Sequence, residues 1–299
     1  YSRFTSIAIA RLFADARDCR RLNMVSSIPL AGVMGWPVEH SLSPKLHGFW
    51  LREMGIRGHY VPLAVQPTGL ARALWSLPEL GFRGVNITVP HKEHAINLVD
   101  NVTPIAQKIG AINTITVEED GSLHGTNTDA FGFIENLKAR APEWDVGRPI
   151  LIIGAGGAAR AVCVGLLEAG ATEIRICNRT RSRSESLTRE IQGNCIGVDW
   201  ADRMEACEEV GLLVNTSSLG MHGGEPLSIN LDRLPHHAVV SDIVYVPLET
   251  PLLAAAKLRG NTVVDGLGML LYQAQPGFYS WFGQKPAVTS GLRAHVMNE

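Results

Sequence analysis

The sequence predicts an α/β fold in two domains, the second a Rossmann-type, doubly wound sheet. Three observations carry this reading. From residue 28 onward, short apolar runs alternate with helical patterns, as parallel sheets covered by helices require. The turn Gly154-Ala155-Gly156-Gly157 stands between one apolar run and a helix. The chain has 299 residues, enough for two domains of ~150 residues each.

The elements follow in order. The run 28–34 (IPLAGVM) reads as a buried strand that Gly35 and Pro37 end. Residues 43–54 place Leu46, Phe49, Trp50 and Met54 at helical spacing, with Ser43 at the N-cap and Pro44 in the first turn. Strands at 59–65 and 84–89 bracket a helix at 70–77, and 94–99 reads as helical. Residues 112–127 form a hairpin turning at Asp120-Gly121, followed by a helix at 130–140. The stretch 148–170 is strand, glycine turn, helix. Further strands fall at 173–178, 211–216, 238–245 and 261–266. The aromatic-rich helix from Met269 to Phe282 is expected to pack back on the first domain.

Composition narrows the function classes. Apolar residues make up 45% and charged residues 19%, as in a compact globular protein. A net charge of −2 argues against a nucleic-acid surface, and the sequence has no apolar run of the ~18 residues that a membrane span needs. The five cysteines include no CxxC pair, so free thiols in a reducing, cytoplasmic setting are expected and a metal site is not. Residues 1–27 carry five arginines and begin without Met. They read as a tag remnant or an upstream extension, with Met24 as a plausible start.

Gly154, Gly156, Gly157 and Ala158 lie where a dinucleotide pyrophosphate meets a helix N-terminus. The first glycine permits the turn, the second admits the phosphates, and the small residues let helix and strand pack closely. A ribose-binding carboxylate belongs at the end of the next strand in an NAD site. Here the chain reads Asn178-Arg179-Thr180-Arg181-Ser182-Arg183. Arginine grips a 2′-phosphate that a carboxylate would repel, so NADP is the expected cofactor. Arg179 and Arg183 are the expected grips, with Asn178 and Thr180 as hydrogen-bonding partners.

Polar groups gather in three other segments: His40 to Pro44, Asn86 to Lys92, and Gly110 to Thr114 followed by Asn127-Thr128-Asp129. Hydroxyls and amides suit a small polyhydroxylated acid, and one Lys with one Asp can exchange a proton with an alcohol or ketone.

These segments carry a resemblance. GWPVEHSLSP (35–44), NITVPHK (86–92), GAINT (110–114), GTNTD (125–129), GAGGAARA (154–161), NRTRSR (178–183), DIVYVPLETPLL (242–253) and GLGMLLYQA (266–274) resemble the shikimate dehydrogenase family in order. The resemblance implies NADP-dependent interconversion of 3-dehydroshikimate and shikimate, a step toward chorismate and the aromatic amino acids. It implies that Ser41 and Ser43 hold the substrate carboxylate with Tyr245 nearby, and that Thr88, Asn113 and Gln273 hold ring hydroxyls. Lys92 and Asp129 would form the catalytic pair, and Gly266 and Met269 would lie by the nicotinamide. The implied division is a substrate-binding domain over 28–130 plus 269–299 and an NADP-binding domain over 131–268, in a monomer or homodimer.

Two departures stand out. Gly48 replaces the Asn common after the motif histidine, and Thr216-Ser217 replaces Ala-Thr in NATSxGM. Each could alter the geometry beside a ligand. A quinate dehydrogenase of the same family is the near alternative, and a non-catalytic NADP-binding regulator the distant one. Glutamyl-tRNA reductase has a similar cofactor loop but needs a catalytic Cys, and residues 28–147 contain none.

Overall fold

The computed structural model describes residues 28–298. The expected upstream extension, with Met24 and Cys19, lies outside the described residues. The chain begins with β1 (Leu30–Gly35), α1 (Ser43–Glu53), β2 (His59–Ala64), α2 (Leu70–Trp75), β3 (Phe82–Ile87) and α3 (Lys92–Ala95). It continues through β4 (Asn101–Val102), α4 (Pro104–Ile109), β5 (Thr114–Val117) and β6 (Leu123–Thr126). These strands form one sheet in the order β2-β1-β3-β5-β6-β4.

Alternation alone predicted a parallel sheet, but this one is mixed. β1 runs parallel to β2 and β3, whereas β5 runs antiparallel to both β3 and β6. The cause is local. A tight turn can join only antiparallel strands. The turn after β5 is set by Gly121 at φ +86° and by Asp120 Oδ1 accepting the Ser122 N–H at 2.9 Å.

After α5 (Asp129–Arg140) the second sheet begins. Its elements are β7 (Ile150–Ile153), α6 (Gly157–Glu168), β8 (Ile174–Cys177), α7 (Arg181–Glu190), β9 (Cys195–Val198), β10 (Leu212–Asn215), β11 (Val239–Asp242), α8 (Pro251–Leu258) and β12 (Val263–Val264). The order is β12-β11-β10-β7-β8-β9, with every pairing parallel. Successive residues of β7 enter opposite cores. Ile150 and Ile152 pack with Val162 and Leu166, while Leu151 and Ile153 pack with Leu213 and Leu252. Burial on both faces explains why the strand reads as an unbroken apolar run. Winding reverses between β7 and β10, so a crevice opens at the carboxyl ends of these two strands.

The last helices are α9 (Gly266–Phe282) and α10 (Ser290–Met297). Leu271, Phe278 and Trp281 of α9 join Ala31, Leu46 and Trp50 in the core beside the first sheet, and Trp281 Nε1 donates to Ile115 O at 3.1 Å. α9 also crosses α5 so closely that a Cβ on Gly132 would stand 2.6 Å from Gln273 Cβ. The two helices that bridge the sheets are thus in contact with each other.

Three local expectations change. Ser43 is the first residue of α1, not its cap: Leu42 occupies that position and makes no side-chain cap bond. Instead Ser41 Oγ accepts the Ser43 N–H at 3.3 Å. The helix expected over 94–99 is the single turn α3, which starts earlier, at Lys92. Its successors Leu98 and Val99 pack on the first sheet's core as irregular chain. Finally, the helix expected over 130–140 starts one residue earlier, at Asp129, with Thr128 in the N-cap position and no side-chain cap bond.

Candidate active site

A cleft of about 300 Å³ lies between the sheets. Its first wall comes from the loop after β1 with the start of α1, from the segment after β3, and from Asn113 and Asp129. The loop after β11 and the first turns of α9 form the other wall. Ser41, Ser43, Thr88, Lys92, Asn113, Asp129, Tyr245, Gly266, Met269 and Gln273 all line it.

Close packing fixes the walls. Gly35 must lack a side chain because a Cβ there would stand 2.4 Å from Thr88 Cγ2, and the Thr88 N–H donates to Met34 O at 2.9 Å. His91 is buried, its Nε2–H donating to Val65 O at 2.7 Å. The Lys92 carbonyl accepts the Ile112 N–H at 3.0 Å. The backbone on both sides of Lys92 is therefore tied to the sheet, and only its side chain is free to enter the cleft.

There Lys92 Nζ donates to Asp129 Oδ2 at 2.6 Å, with the side chains 31% and 12% exposed. The other oxygen, Oδ1, accepts from Asn113 Nδ2 at 2.8 Å. Asp129 begins α5, where the helix dipole favours a negative charge. Asn127 Oδ1 accepts the Asp129 N–H at 3.0 Å. Asn113 is a junction: its Oδ1 accepts the Thr128 N–H at 2.9 Å, and its Nδ2 lies 3.3 Å from Gln273 Oε1. One amide thus connects the Lys–Asp pair to α9.

The end of the cleft that holds Ser41 and Ser43 is built from behind. Asn86 is buried, accepts from Tyr60 Oη at 2.6 Å and donates to Asn113 O and to Thr114 Oγ1, each at 3.1 Å. Burial holds the Tyr60 phenol well above the usual range, with Ser43 only partly offsetting it. His40, Asn86, Ile243 and Leu270 line the cleft as well. His40 and Asn86 stood within the polar segments without an assigned role. Ile243 and Leu270 carry no polar signal and are found only by folding the chain.

The glycine turn after β7 lies outside this cleft, at the crevice between β7 and β10. Gly154 takes φ +117°, and a Cβ there would stand 2.6 Å from Thr216 Oγ1. A Cβ on Gly156 would meet nothing within 4 Å, which leaves room for a phosphate. Gly157 opens α6, whose first turn holds no acidic residue, and Ala158 follows it. After β8, Asn178 Nδ2 donates to Thr180 O at 2.9 Å. Arg179 makes a long 3.4 Å contact to Glu225, with both side chains largely exposed, a pairing of little strength. Arg183 is exposed on α7, while Arg181 pairs with Glu185 and Asp199. Arg160 pairs with Glu190 instead of facing the glycine turn. An open glycine, a helix N-terminus without acidic residues, an exposed Arg183 and an only weakly paired Arg179 together fit NADP.

The departures prove local. A Cβ on Gly48 would meet only Arg52 Nη1, at 3.4 Å, so the position does not shape the cleft. Thr216 Oγ1 donates to Ile153 O at 2.9 Å and Ser217 Oγ to Asn215 Oδ1 at 2.7 Å. Both hydroxyls bond the protein's own strand ends, at the last residues of β7 and β10. Among the described residues no cluster of three His, Cys, Asp or Glu could hold a metal ion, and no helix is long and apolar enough to cross a membrane.

Comparison with known proteins gives consistent results. Residues 33–115 match the family described as shikimate dehydrogenase substrate binding domain, and residues 138–219 match shikimate / quinate 5-dehydrogenase. The chain is 56% identical to a shikimate dehydrogenase (NADP(+)) from Paramagnetospirillum magneticum over 270 residues, covering 90% of this chain and 98% of the relative. Among solved structures, shikimate 5-dehydrogenase from Thermus thermophilus in complex with NADP(H) and shikimate superposes with a TM-score of 0.80 at 38% identity, covering 90% of this chain and 98% of that one. Quinate dehydrogenase from Corynebacterium glutamicum in complex with NAD gives a TM-score of 0.84 at 28% identity, covering 90% and 98%.

Proposed function

The chain belongs to the shikimate dehydrogenase family, and we propose that it catalyses the reversible NADP-dependent reduction of 3-dehydroshikimate to shikimate. The observation that carries the chemistry is the 2.6 Å Lys92–Asp129 pair inside a cleft lined by hydroxyls and amides.

The roles follow from chemistry. Ser41 and Ser43, with Tyr245 beside them, offer hydroxyl donors to the substrate carboxylate. Thr88, Asn113 and Gln273 offer donors and acceptors to ring hydroxyls. The glycine turn with Arg179, Arg183, Asn178 and Thr180 would hold NADPH, which when bound would supply the hydride; Gly266 and Met269 would lie on its nicotinamide side. As charge develops on the ketone oxygen, the Lys92 ammonium stabilises it and delivers the proton. Asp129 keeps that ammonium aimed, and Asn113 keeps Asp129 aimed.

The assigned division is substrate binding by 28–130 with 269–299 and NADP binding by 131–268. It is supported by the two sheets and by the burial of α9 against the first. A cytoplasmic monomer or homodimer suits the buried free thiols Cys163, Cys177 and Cys207, which burial keeps protonated.

Steady-state rates with shikimate and quinate, each with NADP and NAD, test the reading. The expected outcome is the highest kcat/KM for shikimate with NADP. A higher value for quinate with NAD would transfer the chain to the quinate alternative, which the arginine-bearing loop disfavours. No change in nicotinamide absorbance with any pair would leave a non-catalytic binder.

A further inference from the structure

Behind the second wall, three buried polar side chains join the loops that follow β10 and β11. Asp242, the last residue of β11, is 0% exposed. Its Oδ1 accepts from Asn215 Nδ2 and from the Val244 N–H, each at 3.0 Å, and its Oδ2 accepts from Thr250 Oγ1 at 2.8 Å. Asn215 ends β10 directly opposite Asp242 in the strand register. Its Nδ2 also donates to Leu219 O at 3.0 Å, and its Oδ1 accepts from the Ser217 N–H at 3.1 Å. Thr250 Oγ1 in turn accepts the Leu253 N–H at 3.3 Å and so caps α8.

A carboxylate held by neutral donors in a dry interior is an expensive way to fill space, and burial pushes this carboxyl up to about 6. What it secures is geometry. The loop after β11 carries Ile243 and Tyr245, both in the cleft wall. The loop after β10 starts with Thr216, which lies under the Gly154 turn. Asp242 grips the first loop through Val244 and Thr250 and the second through Asn215. None of the three residues lines the cleft itself.

We propose that Asp242, with Asn215 and Thr250, is a positioning group shared by the two ligand subsites. It sets the Tyr245 wall for the substrate and the Thr216–Leu219 segment for the dinucleotide, so that disturbing it weakens both. The proposal rests on the functional reading above and goes beyond it, because it assigns a role to residues outside the cleft lining.

Thr250→Val tests it, since valine keeps the shape and removes the hydroxyl. Calorimetric Kd values for NADP and for shikimate are measured on the folded full chain, beside kcat and the melting temperature. A lost hydrogen bond to a charged group is worth roughly tenfold in a constant. Both Kd values are expected to rise by about that factor, with Thr250→Ser restoring both. A lower melting temperature with both Kd values unchanged would make the trio merely structural and overturn the proposal. A rise in one Kd without the other would overturn it equally. Should Thr250→Val not fold, the near-isosteric Asp242→Asn carries the same expected paired rise. Wild-type protein that binds both ligands without turning shikimate over would sink the functional reading alone, since the paired constants still judge the trio.

Discussion

Acidification is expected to destabilise the protein through His47. Its imidazole is 0% exposed, lies flat on Tyr60 at 3.9 Å between centroids, and has no hydrogen-bond partner at either ring nitrogen. Burial lowers its pKa from 6.5 to about 3. Below pH 6.5 the unfolded chain binds a proton that the folded chain refuses. The stability His47 contributes is therefore fully present above the unfolded value and is lost as pH falls through the folded one. At ~1.4 kcal/mol per pKa unit the whole interval is worth about 5 kcal/mol, against a total of ~5–15 kcal/mol for a typical domain. Asp242 opposes it. Its pKa is raised from 3.8 to about 6, so its contribution is complete below the unfolded value and lost as pH rises through the folded one. The two slopes nearly cancel between those values, which hides His47 in the wild-type curve. His47→Phe keeps an aromatic ring in the stack and removes the titration. Urea midpoints for wild type and variant at fixed ionic strength from pH 4 to pH 8 make the difference visible, because every other group cancels. The wild-type advantage should shrink by about 3 kcal/mol from the upper end of the His47 interval down to pH 4. Two parallel curves separated by a constant would refute the reasoning.

Other perturbations address the site directly. Lys92→Ala removes the proposed proton donor while Asn113 still satisfies Asp129; kcat is expected to fall by about 10²–10⁴ with a smaller change in KM and an unchanged melting temperature. Replacing Arg179 and Arg183 with Ala should raise the NADP KM by roughly 10- to 100-fold and leave the NAD KM nearly unchanged, as initial rates with each cofactor will show. Gly132→Ala would drive a methyl to within 2.7 Å of Met269 O and against Gln273. Separating α5 from α9 should cost about 1–3 kcal/mol in denaturant unfolding and raise the shikimate KM, because both neighbours line the cleft.

How much of this was legible depended on the range of the interactions. β7, its glycine turn and α6 are visible in the sequence because burial on both faces and a tight phosphate turn each demand particular residues in a row. Lys92, Asp129 and the serines stand in short polar segments that interrupt apolar runs, so their candidacy is also local. The orientation of β5 was legible through the Asp120-Gly121 turn, yet its antiparallel place beside β3 was not, since strand pairing across the sheet leaves no mark on either strand alone. The same holds for α3. Apolar residues over 94–99 mimic a helix, but Leu98 and Val99 satisfy that pattern by packing on the sheet as irregular chain.

The positions that escaped notice share one physical property: their chemistry exists only in company. Asp242 looks like a solvent-facing strand end until Asn215 and Thr250 close around it. His47 reads as a polar helix residue until Tyr60, Trp50 and Phe278 enclose its ring. Ile243 is an ordinary apolar residue until the approach of Gly266, whose Cβ would stand 2.2 Å from the Ile243 carbonyl oxygen, makes it part of the cleft wall. A substitution at any of these sites would look mild by residue type. Each nonetheless acts on a group whose protonation or position is set by neighbours more than twenty residues away or by a complete cage of side chains. On the proposed function, aligning the reacting groups is thus a property of the loops after β10 and β11 and of the α5–α9 crossing as much as of the polar segments that line the cleft.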